Sequence, residues 1–172
     1  MIPNYAAVKI AITRPDGGVS IMSFLTVGRG NSLPNGADWL DKAIGSWSRP
    51  PTDAVVAEEV ARAIPDAVAW QRILDSEVPK DRTFRDALVV KGGALTHDME
   101  TARELARDML RHQRAAVMPE LDGEWMRAIG QDKKAEADKI EADRQVWRDA
   151  PADPKIDAAQ TTGELALIIN KG

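Results

Sequence analysis

Four arginines are spaced as a grip for charged groups. Arg103, Arg107, Arg111 and Arg114 follow one another at steps of 4, 4 and 3 residues, which makes a ridge down one side of a helix. A guanidinium offers fixed, planar donors, so such a ridge suits phosphates or carboxylates. The sequence also supplies a competing use. Glu100, Glu104 and Asp108 each stand three residues before one of these arginines, the spacing of intrahelical ion pairs. With 23 basic against 27 acidic residues and a formal charge of −4, the chain lacks the basic footprint of a nucleic-acid binder. Internal pairing is therefore the expected fate of the ridge, and Arg111 and Arg114 stay open as contacts to a protein partner.

Other chemistry is thinly supplied. His97 and His112 stand in no metal-ligand spacing, and His97 beside Asp98 reads as part of a helix cap. Gly28-Arg29-Gly30 lacks the later glycine and the acidic ribose partner of a dinucleotide loop. No phosphate-binding loop and no serine nucleophile elbow occurs. Cysteine is absent, which removes disulfides, thiolate zinc sites and thiol nucleophiles. Glu136, Asp138, Glu141 and Asp143 lie in an alternating-charge helix, as a solvated face requires. The expectation is a chain with no catalytic residue, no cofactor and no metal, which works by binding other proteins rather than as an enzyme. Its aromatic content points the same way: five Trp against two Phe and one Tyr. Indole carries a large apolar area with one polar N–H and suits half-wet contacts, so Trp39, Trp47, Trp125 and Trp147 are interface candidates as well as core candidates.

The elements that must position these residues read as follows. Val8, Ile10 and Ile12 alternate with Ala7, Lys9, Ala11 and Thr13; Arg14-Pro15-Asp16-Gly17-Gly18 supplies a turn; alternation resumes over Val19 to Leu25. A β-hairpin over residues 6–25 follows, with its Ala6–Thr13 edge free to extend a neighbouring sheet. Residues 27–37 read as a loop. Trp39, Leu40, Ala43, Ile44 and Trp47 have helical spacing, and Thr52 or Asp53 caps a further helix running to Ile64. A third strand is read over Val68 to Ile73, then a polar connector, then a strand or short helical turn over Phe84 to Val90 closed by Gly92-Gly93. Beyond it, Thr96 or Asp98 caps a helix with the stripe Met99, Ala102, Ala106, Met109, Leu110, Gln113 and Val117, continued by Leu121, Trp125 and Ile129. Gly130 permits a reversal, and Asp132 to Asp149 forms a polar helix with only Ile140, Val146 and Trp147 as large apolar residues. The fold class is thus α+β, with a mixed N-terminal module over residues 1–95 and an antiparallel helical hairpin with a short terminal segment over residues 96–172. The second arm is too poor in apolar residues for a wide core, so it packs thinly or lies against a partner. A capping box at Thr161 to Glu164 opens a terminal apolar run in which Leu165 and Ile168 are candidate anchors. No run nears the roughly 18 apolar residues of a membrane span, and Met1 to Ala11 does not read as a signal peptide. The default expectation is a soluble cytosolic product.

Several segments together carry a resemblance: Pro79 to Ala87, Asp98 to Glu104, Arg111 with Arg114, Leu121-Asp122, and Arg144-Gln145-Val146-Trp147-Arg148-Asp149-Ala150-Pro151. In this order they resemble small phage and prophage proteins encoded among tail and tail-fibre genes. The last segment is similar to the R-Q-x-L-R-D-x-P stretch of phage tail-fibre assembly proteins, with Trp147 at the usual Leu. The likeness covers roughly Trp70 to Leu167 and the Arg14 to Ser20 turn. It implies a non-enzymatic tail-region role: a structural part of the tail tip, baseplate or fibre-attachment region, or alternatively a chaperone of fibre assembly. Partners would be other tail or fibre proteins or a second copy, and the location would be the virion, with the host cytoplasm during assembly. A nucleic-acid-binding regulator using the arginine ridge is the third reading.

Overall fold

Strand β1 (Tyr5–Thr13) and strand β2 (Val19–Val27) form the expected antiparallel hairpin, with Ile10 opposite Met22 and Thr13 opposite Val19. The computed structural model describes residues 5–27, 40–41, 46–47 and 51–170, with side chains from Val8 to Phe24 and from Pro51 to Asn170. Turn chemistry fixes the hairpin register. Gly17 N–H donates to the Arg14 carbonyl at 3.0 Å, Arg14 N–H donates to the Gly18 carbonyl at 2.9 Å, and Gly17 takes a φ of 82°. The Asp16 carboxylate accepts from Gly18 N–H at 2.9 Å and from Arg14 Nε at 3.2 Å. Those bonds, the Gly18 amide foremost, hold its carboxyl below the ordinary value.

The edge expected to be free over Ala6–Thr13 is covered from Lys9 to Thr13. Strand β5 (Ala69–Ile73) lies antiparallel along the other side of β1, pairing Lys9 with Ile73 and Ile12 with Trp70. The sheet order is β3-β4-β2-β1-β5, where β3 (Leu40–Asp41) and β4 (Ser46–Trp47) are two-residue strands and β4 runs parallel to β2. Both stand within the segment read as a helix from Trp39 to Trp47. Pairing of β4 with β2, and of β3 with β4, overrides the local helical period at these residues. Trp39 and the side chain of Trp47 lie outside the described residues.

Enclosure of β1 on both faces explains its apolar alternation. Ile10, Ala11 and Ile12 are 0%, 0% and 1% exposed. On one face Ile10, Ile12 and Phe24 pack against Val56 and Val60 of helix α1 (Asp53–Ala63), whose first turn is capped by the Thr52 hydroxyl. Arg72 Nη2 donates to the Pro51 carbonyl at 2.6 Å and to Asp53 at 2.8 Å, tying β5 to the start of that helix. On the other face Ala11, Val19 and Ile73 meet Leu88, with Ile21, Val90 and Leu95 around them. Leu88 begins strand β6 (Leu88–Lys91), which a Gly92-Gly93 turn joins to strand β7 (Ala94–His97). Gly92 and Gly93 have φ of 61° and 82°, the pair of left-handed residues a two-residue hairpin needs. Gln71 Nε2 donates to the Gly93 carbonyl at 2.9 Å and locks this ribbon in place.

The chain is α+β and divides into two units, Met1–Thr96 and His97–Gly172. In the second, Asp98 caps helix α2 (Met99–Gly130) by accepting from Thr101 N–H at 3.0 Å and Thr101 Oγ1 at 2.8 Å. Pro119 sits inside α2 without ending it. Helix α3 (Lys134–Asp149) returns along α2. Asp132, at φ 54°, makes the reversal expected of Gly130, which instead is the last residue of α2. A single 3-10 turn over Ala150–Ala152 leads to α4 (Pro154–Ala158) and α5 (Thr162–Ile169), both of which pack on α2. Ala102, Ala106 and Leu110 are buried, as are Ile156, Ala159, Leu165 and Ile169 on the returning segment. Leu165 and Ile169 are thus core residues rather than free anchors: the two alanines leave room for the terminal helix to come close, and that burial satisfies the run internally.

At Gly17 an L side chain in the left-handed region costs about 1 kcal/mol. Gly17→Ala is expected to lower the stability of the sheet unit by that amount in denaturant unfolding, with an unchanged far-ultraviolet spectrum.

Candidate docking surface of the helical unit

Among the described residues, the polar contacts between α2 and α3 centre on one side chain of α3. Ala137 is the one described residue of α3 that is fully buried, near-closed along with Ala128 of α2. The side chain at the centre of the polar contacts is Arg144. Its Nε donates to Asp122 of α2 at 2.8 Å, its Nη1 donates to Glu141, and its guanidinium carbon lies 5.0 Å from the centroid of the Trp125 ring. Arg148 also donates to Glu141, and its Nε donates to Gln145 at 3.1 Å. Gln145 in turn donates to both oxygens of Asp149, at 2.8 and 2.7 Å. Pro151, the last residue of that segment, is buried. Each polar side chain of the Arg144–Pro151 segment therefore has an intramolecular task, and the segment shapes the end of α3 and its turn. Hydrogen bonding from Arg148, then the charges of Arg144 and Arg148, holds the Glu141 carboxyl below its ordinary value.

The arginine ridge is divided. The Glu104–Arg107 and Asp108–Arg111 pairs form as expected, the latter at 2.5 Å. Arg103 departs from the expected pairing with Glu100: its Nη2 donates to the Ala159 carbonyl at 2.8 Å, where α4 ends. Arg107 additionally pairs with Asp157 of α4. Two of the four guanidinium groups thus clasp the returning segment, because it carries a carbonyl and a carboxylate within their reach. Arg111 is exposed, and Arg114 is half-buried with no ion pair among the described residues.

Beside the end of α3 lies an apolar trough of about 570 Å³, lined by Leu110, Val146, Ala150, Pro154 and Ile168, with Asp149 and Asp153 at its rim. Val146 is 67% exposed. Asp149 is bonded by the neutral Gln145 amide and Asp153 by the Lys155 N–H at 2.9 Å, so neither carboxylate is balanced by a cation among the described residues. Among the candidates read from sequence, the trough takes in Ile168. Trp125 is engaged under Arg144, Trp147 is half-buried on α3, and Leu165 is sealed in the core. Leu110, Pro154 and the two aspartates were not singled out. Only the folding back of α4 and α5 brings them together, and no local spacing announces it. Val146 had a signal, as a large apolar residue on an otherwise polar helix.

Among the described residues no group of His, Asp and Glu side chains is placed to hold a metal ion, and no helix is long and apolar enough to cross a membrane. No family model, no curated protein and no solved structure matches the chain.

Three outcomes follow from the polar clasp. Arg144→Ala is expected to destabilise the helical unit by about 2 kcal/mol, through the lost ring contact and the unpaired Asp122 carboxylate. Arg144→Lys, which keeps charge without a planar face, should lose roughly 1 kcal/mol in the same thermal unfolding assay. Because the Glu141 carboxyl is depressed in the folded chain, its contribution is fully present above its ordinary value of 4.5 and is lost as pH falls through the lowered folded value. Helicity followed by circular dichroism should fall more steeply below that pH in the parent chain than in Glu141→Gln.

Proposed function

We propose that this chain is a non-enzymatic bacteriophage tail protein, a structural component of the tail tip, baseplate or fibre-attachment region that acts by binding other proteins. The observation that carries the docking role is the trough at the end of α3, where Val146 stands 67% exposed beside Pro154 and Ile168 under two uncompensated carboxylates. An apolar recess with an acidic rim suits an apolar side chain flanked by lysine or arginine. The tail assignment rests on the resemblance of Arg144–Pro151 to the corresponding stretch of tail-fibre assembly proteins. That stretch forms one wall of the trough through Val146, Asp149 and Ala150. The protein would reside in the virion and pass through the host cytoplasm during assembly.

The same resemblance favours a second reading, a chaperone of tail-fibre assembly that leaves before the particle is complete. Use of the arginine ridge on nucleic acid is disfavoured by the engagement of Arg103 and Arg107 with α4 and its end.

Mass spectrometry of purified particles separates the first two roles. Peptides in whole-number ratio to a tail protein are expected for a structural part. Their absence from particles, with recovery of the chain on immature fibres, would transfer the assignment to the chaperone. For the surface itself, Val146→Arg should leave the thermal midpoint within a degree of the parent and weaken capture of tail proteins at least tenfold. Undiminished capture would remove the trough from the account.

A further inference from the structure

We infer that the open edge of β5 pairs with the same edge of a second copy of this chain. The sheet ends at β5, with no further strand beside it among the described residues. Which backbone groups point outward follows from β1. The Thr13 carbonyl accepts from Val68 N–H at 2.9 Å, so Thr13 faces β5, and by alternation so do Ala11 and Lys9. Their opposites, Ala69, Gln71 and Ile73, spend their amides and carbonyls on β1. Trp70 and Arg72 therefore present theirs on the open side.

An antiparallel copy related by a two-fold axis at Gln71 matches this pattern. Trp70 then stands opposite Arg72 of the second copy, and Arg72 opposite its Trp70, so the outward groups meet as two hydrogen-bonded pairs. Gln71 faces its own counterpart at a non-hydrogen-bonded site, and Val68 comes opposite Leu74. Side chains agree with that register. Val68 and Leu74, which are 67% and 68% exposed in the single chain, cover one another. Neighbouring registers do not fit. A centre at Trp70 sets Arg72 against Val68, whose N–H is already spent on Thr13. A centre at Arg72 sets Trp70 against Leu74, whose N–H and carbonyl are already spent on Glu77. The strand also lacks the lysines and prolines that commonly guard an edge.

Because the chain has no cysteine, Gln71→Cys introduces a single thiol. At a non-hydrogen-bonded antiparallel site the two Cα atoms lie about 4.5 Å apart, inside the roughly 4.4–6.8 Å span of disulfides. Full-length Gln71→Cys should form a covalent dimer under mild oxidation, as should an equimolar mixture of Val68→Cys and Leu74→Cys, whereas Leu74→Cys alone should not. A charge swap at the exposed positions gives a test independent of Gln71 and its bond to Gly93. In sedimentation velocity Val68→Glu or Leu74→Lys should each weaken the dimer at least tenfold, and the double variant should recover it. A parent chain that stays monomeric at tens of micromolar overturns the inference. So does self-linking of Leu74→Cys as readily as Gln71→Cys, or a double variant no better than the single ones.

Discussion

Helix α3 is fastened to α2 by a guanidinium. Arg144 lies against the Trp125 ring while pairing with Asp122 across the hairpin and Glu141 along its own helix. A flat cation can do this because it stacks through its face and donates through its edge, so one side chain supplies both packing area and direction. The only fully buried residue that α3 contributes is an alanine. The register of the two helices therefore depends on directional contacts, and the residues beyond Arg144 inherit their positions from it. Arg148, Gln145 and Asp149 follow as a relay of hydrogen bonds that ends at the rim of the trough.

The other face of α2 is built differently. Ala102 and Ala106 leave space for α4 and α5, which bring Ile156, Leu165 and Ile169 into a closed apolar cluster with Leu110. Arg103 and Arg107 then reach over the edge of that cluster to the end of α4. Each burial here is small, so the fit of small side chains matters more than the size of large ones. The terminal segment adds its apolar residues to α2, while Val146 of the apolar-poor arm α3 stays exposed.

How much of this was legible depends on whether a signal was local. The β1–β2 hairpin, the Asp98 cap, the long stripe of α2 and the Glu104–Arg107 and Asp108–Arg111 pairs all rest on residues within a few positions of one another, and all were readable. What was not readable involves residues far apart. Arg103 prefers a carbonyl 56 positions away to Glu100, three positions away. Strand β5 closes the Lys9–Thr13 part of the β1 edge that looked open, and four residues of β7 were hidden behind a glycine pair. The helical spacing from Trp39 to Trp47 gave way at Leu40–Asp41 and Ser46–Trp47 to pairing with other strands. Of the candidate site, Ile168 was legible as an apolar residue, but the trough it lines depends on the returning helices and could not be.

Pro119 lies between the two regions of α2 that serve these different supports: Ala102 to Leu110 hold the apolar cluster, while Asp122 and Trp125 hold the guanidinium. A proline has no amide hydrogen, so the carbonyl of Ala115, which is exposed, has no helical donor and is left to solvent. One rod thus spans two foundations, and its weakest rung falls in the gap between them.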